Sequence, residues 1–131
     1  MQRLKRILGW LKGILGWLFV VAWVALVVDY YRVNAKEQRV FLAIAECGGT
    51  NGSIPFWPFG TEYRVKFPHA LTSDQLDRLV ELNSLRGSVK VAFVECELSA
   101  DQVGEIESKL YNCKLRRITN GEMSQLAEGV R

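Results

Sequence analysis

Leu71-Thr72-Ser73-Asp74-Gln75-Leu76-Asp77-Arg78-Leu79 and Leu98-Ser99-Ala100-Asp101-Gln102-Val103-Gly104-Glu105-Ile106 are two copies of one pattern, 27 residues apart. In each, an apolar residue precedes a hydroxyl, Asp-Gln follows, and apolar positions recur three apart. The hydroxyl of Thr72 or Ser99 can cap a helix. The acid two residues on then sits in the first turn, where the helix dipole favours negative charge. The pattern predicts two short amphipathic helices. One carries the stripe Leu76, Leu79, Val80 and Leu82, the other Val103, Ile106 and Leu110.

Each helix is preceded by a strand signal. Tyr63-Arg64-Val65-Lys66-Phe67 alternates with period two, and Val89-Lys90-Val91-Ala92-Phe93-Val94 is β-branched and apolar. Cys113-Lys114-Leu115-Arg116-Arg117-Ile118 follows the second helix as a third strand. Strands alternating with helices at short spacing imply parallel pairing through helical crossovers. The expected fold class is therefore α/β, with strands at Tyr63–Phe67, Val89–Val94 and Leu115–Ile118 side by side in sequence order. The alternative is a two-layer α+β sandwich, with antiparallel neighbours or a shuffled order.

Upstream, residues 33–46 read as a helix with Val33, Val40, Phe41 and Ile44 near one face. Gly48-Gly49 stops it, since glycine accepts the left-handed conformation at a helix end. Thr50-Asn51-Gly52-Ser53 is a turn signal. Ile54-Pro55-Phe56-Trp57-Pro58-Phe59-Gly60 cannot be a central strand, because two prolines remove ladder donors. It is expected as a loop after a short strand near Ser53–Ile54. Such a loop suits either the end of the core or the membrane surface.

Residues 13–28, Gly-Ile-Leu-Gly-Trp-Leu-Phe-Val-Val-Ala-Trp-Val-Ala-Leu-Val-Val, carry no charge and lie between Lys12 and Asp29. A helix rises about 1.5 Å per residue, so this run spans about 24 Å, against a hydrocarbon core of about 30 Å. Snorkelling by Lys12 recruits Ile7, Leu8, Trp10 and Leu11, and Tyr30 and Tyr31 suit the opposite interface. No small-x-small cleavage pattern follows, so the segment is expected as an uncleaved signal anchor. No Pro or Gly interrupts Val28 to Glu46, so the anchor can run directly into the next helix. Arg3, Lys5, Arg6 and Lys12 precede the span; Arg32, Lys36 and Arg39 follow it. Four cations against three favour a cytoplasmic N-terminus and an exported C-terminal domain in the cell membrane. The formal net charge of +3 is mostly this N-terminal cluster, and nothing indicates nucleic acid.

The expected organisation is a basic N-terminus and transmembrane helix over 1–32, a capping helix and aromatic loop over 33–60, and two repeat units with a tail over 61–131. About a hundred residues after the span suffice for one modest core.

The residues do not assemble a recognised catalytic pattern. His69, the only histidine, follows Pro68 in a turn. No Cys-x-x-Cys, His-Glu-x-x-His or phosphate-cradling glycine loop after a strand is present. Asp74 and Asp101 are equivalent capping-turn acids. No catalytic residue, metal ligand or cofactor is expected. Cys47, Cys96 and Cys113 are an odd, sparse set that reads as small buried hydrophobes. A Cys96–Cys113 bridge is compatible with an exported domain.

Val91-x-Phe93-x-x-Cys96-x-Leu98-Ser99-x-Asp101-Gln102-Val103-x-x-Ile106 resembles a leucine-rich repeat, with Cys96 at the corner position more often held by asparagine. Leu71-Thr72-Ser73-Asp74-Gln75-Leu76-x-x-Leu79-x-x-Leu82-x-x-Leu85 resembles the helical half of the same unit. With Lys36-Glu37-Gln38, Ile44 and Gly48-Gly49, the layout is similar to small membrane-anchored leucine-rich-repeat-like proteins of planctomycete-type bacteria. The resemblance implies a short β/α solenoid. The Val33–Glu46 helix and aromatic loop would cap one end, and the Met123–Leu126 tail the other. It also implies a non-enzymatic, membrane-tethered interaction or scaffolding role with a protein partner on the strand face. That face is expected to present Arg64 and Lys66, then Lys90, Ala92, Val94 and Glu95, then Lys114, Arg116 and Arg117. The alternative role is an accessory subunit of a membrane complex, contacted through the anchor. Gly9-x-x-x-Gly13 and Gly16 would permit close helix approach there.

Overall fold

The computed structural model describes residues 1–56 and 59–126. Trp57 and Pro58 of the aromatic stretch, and the tail beyond Leu126, lie outside the described residues. The chain divides into two units, Met1–Asn34 and Ala35–Arg131.

The first unit lies within a single helix, α1 (Gln2–Glu46). None of its residues is buried. This helix is long and apolar enough to cross a membrane, and no residue of its most apolar 18-residue window is covered by protein. The expected continuity from the apolar run into the next helix is present.

In the second unit, α1 ends where the glycines require. Gly48 adopts φ +78°, its N–H donates to the Ala45 carbonyl, and Gly49 N–H donates to the Ile44 carbonyl at 2.9 Å. These two bonds satisfy carbonyls that the helix leaves orphaned. Val40 and Ile44 point into the core. Strands β1 (Thr50–Phe56) and β2 (Gly60–Phe67) follow, then α2 (Ser73–Arg78) with a 3-10 turn over Val80–Ser84. Next come β3 (Gly87–Val94), α3 (Ala100–Lys109), β4 (Lys114–Thr119) and β5 (Glu122–Gln125).

The architecture is α/β: a long N-terminal helix, then one open five-stranded mixed sheet with short helices. Strand order is β1-β2-β3-β4-β5. β2, β3 and β4 are parallel in sequence order, while β1 and β5 add antiparallel edges. Both helix starts carry complete capping boxes. Thr72 and Ser99 accept from the Gln75 and Gln102 backbones, and those glutamines return a side-chain bond to the cap N–H. The internal repeat is thus expressed twice as the same local structure.

Three local expectations are corrected. The stretch expected as a loop with a short strand near Ser53–Ile54 is a full strand through Pro55. It lies at the sheet edge, where a missing N–H is tolerated. Val80, expected in the apolar stripe, is exposed. The chain tightens to three residues per turn after Arg78, so burial passes from Leu79 to Leu82 and Leu85 instead. The tail over Met123–Leu126 is not a plain cap. It forms β5 through a hairpin at Asn120 (φ 52°) and Gly121 (φ 79°), and Leu126 enters the core.

Along β2 and β3, Tyr63, Val65, Phe67, Val89, Val91 and Phe93 form one buried face. Ile44, Leu76, Leu79, Leu82, Val103, Ile106 and Leu110 share the same core, so the helices cover that face alone. Phe67 and Phe93 are register partners and stack at 5.8 Å.

One polar residue joins the two repeat units from inside. Asn83 is 7% exposed. Its Nδ2 donates to the Lys109 carbonyl at 2.6 Å, and its Oδ1 accepts from Asn112 N–H at 3.0 Å. Asn112 Nδ2 donates in turn to the Asn83 carbonyl. Asn83→Ala leaves the Asn112 N–H and the Lys109 carbonyl without their partner in a part-buried site. We expect it to cost about 2–3 kcal/mol, read as a lower thermal midpoint in detergent.

A second polar contact pins α1 to the sheet within this unit. Tyr63, 1% exposed, donates its hydroxyl to Glu37 Oε1. Burial, then the Glu37 carboxylate, push the Tyr63 pKa up from 10.0 to about 12. The fold therefore favours the protonated phenol. Its contribution is complete below pH 10 and lost as pH rises towards 12. Alkaline unfolding curves should show this loss between pH 10 and about 12, and Tyr63→Phe should remove that pH-dependent component.

Candidate interaction surface

The face of the sheet away from the helices has no cover among the described residues. Strand register builds it in rows. Arg64, Lys90 and Lys114 align across β2, β3 and β4. Lys66, Ala92 and Arg116 form the next row, which Gln125 extends on β5. Strands lie about 4.8 Å apart and alternate residues about 7 Å apart along each, so five cations share one compact patch. Ala92 is its floor, 8% exposed between longer neighbours. A third row, Val94, Ile118 and Met123, makes an apolar margin at the carboxyl ends of the central strands.

Glu62 is the one carboxylate on this face among the described residues. It accepts from Arg64 Nε at 2.9 Å and Lys90 Nζ at 3.1 Å. Those two bonds, Arg64 foremost, hold its pKa below the usual carboxylate value. Lys66, Lys114 and Arg116 have no ion-pair partner among the described residues.

Two residues expected on this face are placed elsewhere. Arg117 pairs in register with Phe93 and Ser124, so strand alternation turns it to the helix side, opposite Arg116. Its Nε and Nη2 are buried without a hydrogen-bond partner. Two consecutive arginines on a strand cannot share a face. Glu95 lies just past β3 at φ 51°, where its carboxylate accepts from Asn120 N–H at 2.7 Å. It fastens the β4–β5 hairpin rather than extending the patch.

No known protein family, curated protein or solved structure matches this chain.

The other reactive groups are three thiols and one histidine. Cys47, Cys96 and Cys113 are free thiols, and no bridge joins Cys96 to Cys113. Burial raises the pKa of all three, Cys113 to about 11; Arg117 opposes the rise at Cys96. Thiols in that state are poor nucleophiles. His69 sits over Gly48, where an added Cβ would fall 2.6 Å from its Nε2. Among the described residues no group of three or more His, Cys, Asp or Glu side chains could hold a metal. On α1, Gly9, Gly13 and Gly16 are open, and a Cβ added at any of them would meet nothing within 4 Å. Gly9 and Gly13 line a shallow groove with Trp10 and Trp17.

Proposed function

We propose that the protein is a single-pass, membrane-tethered interaction module. Its N-terminus is cytoplasmic, its sheet domain is exported, and its uncovered sheet face receives a protein partner. The apolar stretch of α1 supports the anchor, and the basic, uncovered face carries the interaction reading. Tethering restricts the face to the membrane surface and raises its effective concentration for partners there. The module acts as a short leucine-rich-repeat-like ribbon. Each strand–cap–helix unit returns the chain to a neighbouring parallel strand, and β1 and β5 flank the three parallel strands.

The test is photocrosslinking in intact cells. A crosslinking residue at Lys114, on the face, should give one discrete protein adduct. The same residue at Glu107, exposed on α3, should not. Equal labelling from both positions, or none from Lys114, would overturn the reading.

The open glycines of α1 favour a second reading, an accessory subunit held in a membrane complex through its anchor. Gly13→Leu would then abolish co-purification of the complex while leaving the Lys114 adduct intact. If co-purification survives, the anchor is not the contact element.

A further inference from the structure

The second unit separates its charges in a way that solubility does not require. Residues 35–131 contain 12 Lys and Arg against 13 Asp and Glu, so the domain is close to neutral. Yet its uncovered face holds five of the cations and one carboxylate, Glu62. Interspersed signs are the ordinary condition of a soluble surface, and a single-sign field on one face steers a ligand of opposite sign.

We propose that this face seats an acidic, partly apolar segment of the partner protein. The proposal rests on the interaction reading above and adds the partner's chemistry. Carboxylates of the segment engage Lys66, Lys114 and Arg116, the cations without an internal partner among the described residues. The segment lies over the small Ala92 floor, flanked by the side chains of Lys66 and Arg116. One of its apolar side chains rests on the Val94–Ile118 margin. An anionic bilayer fits less well. Glu62 would face the headgroups.

Glu62 supplies an unusual test. It neutralises Arg64 and Lys90, and its charge repels carboxylates that approach the neighbouring Lys66, Lys114 and Arg116. Removing it should strengthen binding, an effect that misfolding cannot imitate.

The experiment uses the full chain in neutral detergent micelles and a short fluorescent peptide of alternating glutamate and leucine. A glutamine–leucine peptide controls for micelle partition. We expect saturable binding of the acidic peptide only, weakened about tenfold by raising salt to about 300 mM, because exposed charges are screened. Arg116→Glu should weaken it about tenfold, and Glu62→Gln should tighten it several-fold. Unchanged affinity in either variant would overturn the proposal. So would phosphatidylglycerol vesicles that bind the chain while the peptide does not, an outcome that assigns the face to lipid. The two readings fail separately. A Lys114 adduct that persists in Arg116→Glu keeps the tethered module and removes the acidic partner; loss of the adduct in the unaltered chain removes both.

Discussion

A chain carrying Val20→Arg and Val24→Arg will leave the membrane fraction. Both positions lie near the middle of the uncharged run 13–28 and are exposed on α1. An arginine at the centre of a spanning helix costs about 2.5–3.5 kcal/mol on insertion scales, so the pair opposes insertion by about 6 kcal/mol. These insertion costs already include what snorkelling recovers. The check is fractionation of cells expressing the full chain, followed by an alkaline carbonate wash. The unaltered chain should stay in the pellet and the double variant in the supernatant. The variant should keep its sheet domain folded, since no residue of 13–28 belongs to the buried core. Retention of the variant after the wash would mean that something other than the apolar run holds the protein.

Gly87→Ala will unfold the sheet domain at moderate temperature. Gly87 opens β3 at φ +117°, a region that side-chain-bearing residues rarely enter. A Cβ there would stand 2.1 Å from the Thr61 carbonyl oxygen and 2.5 Å from its nitrogen. Both are backbone atoms of the neighbouring strand, so no rotamer change relieves the clash. Thr61 and Gly87 are also the first register pair between β2 and β3, the parallel pair at the centre of the fold. Strain and lost pairing together should cost about 3–4 kcal/mol, a large part of the stability of a domain this size. At about 4–8 °C per kcal/mol, the thermal midpoint should fall by more than about 12 °C. Gly104→Ala is the internal comparison. It lies mid-helix in α3 with nothing within 4 Å of an added Cβ, and should stabilise by up to about 1 kcal/mol. Equal effects from the two substitutions would contradict this account of the β2–β3 junction.

The parts of the fold that are legible in the sequence share a cause. Thr72, Ser99 and their Asp-Gln followers act through bonds within one helical turn, so the caps can be read locally. Strand β2 alternates cleanly because one of its faces is buried. Pro55 obscures β1. A proline rules out a central strand but not an edge strand, and edge position is set by tertiary pairing. The signal for β5 lies in Thr119-Asn120-Gly121-Glu122, since Asn-Gly between short β-capable segments is a strong hairpin signal, and reading the tail as a cap passes over it. Asn83 cannot be found from sequence, because its partners Lys109 and Asn112 are assembled only by the fold.

The candidate surface is legible in its strands but not in one parity. Assigning both Arg116 and Arg117 outward ignores strand alternation, and register moves Arg117 to the helix side. The role of Glu62 is hidden in the sequence. It belongs to β2 one residue before the alternating core segment, and its contacts span two strands. The concentration of cations on one face becomes visible only when β2, β3 and β4 are aligned.

On the proposed reading, the basic sheet face is covered by a partner when the chain is in its membrane. A maleimide footprint in permeabilised native membranes tests it most directly, with Lys114→Cys on the face and Glu107→Cys on α3. The expected result is protection at position 114 that is lost after detergent extraction at high salt, with position 107 reactive throughout. Equal reactivity of the two positions in the membrane, before extraction, would contradict it.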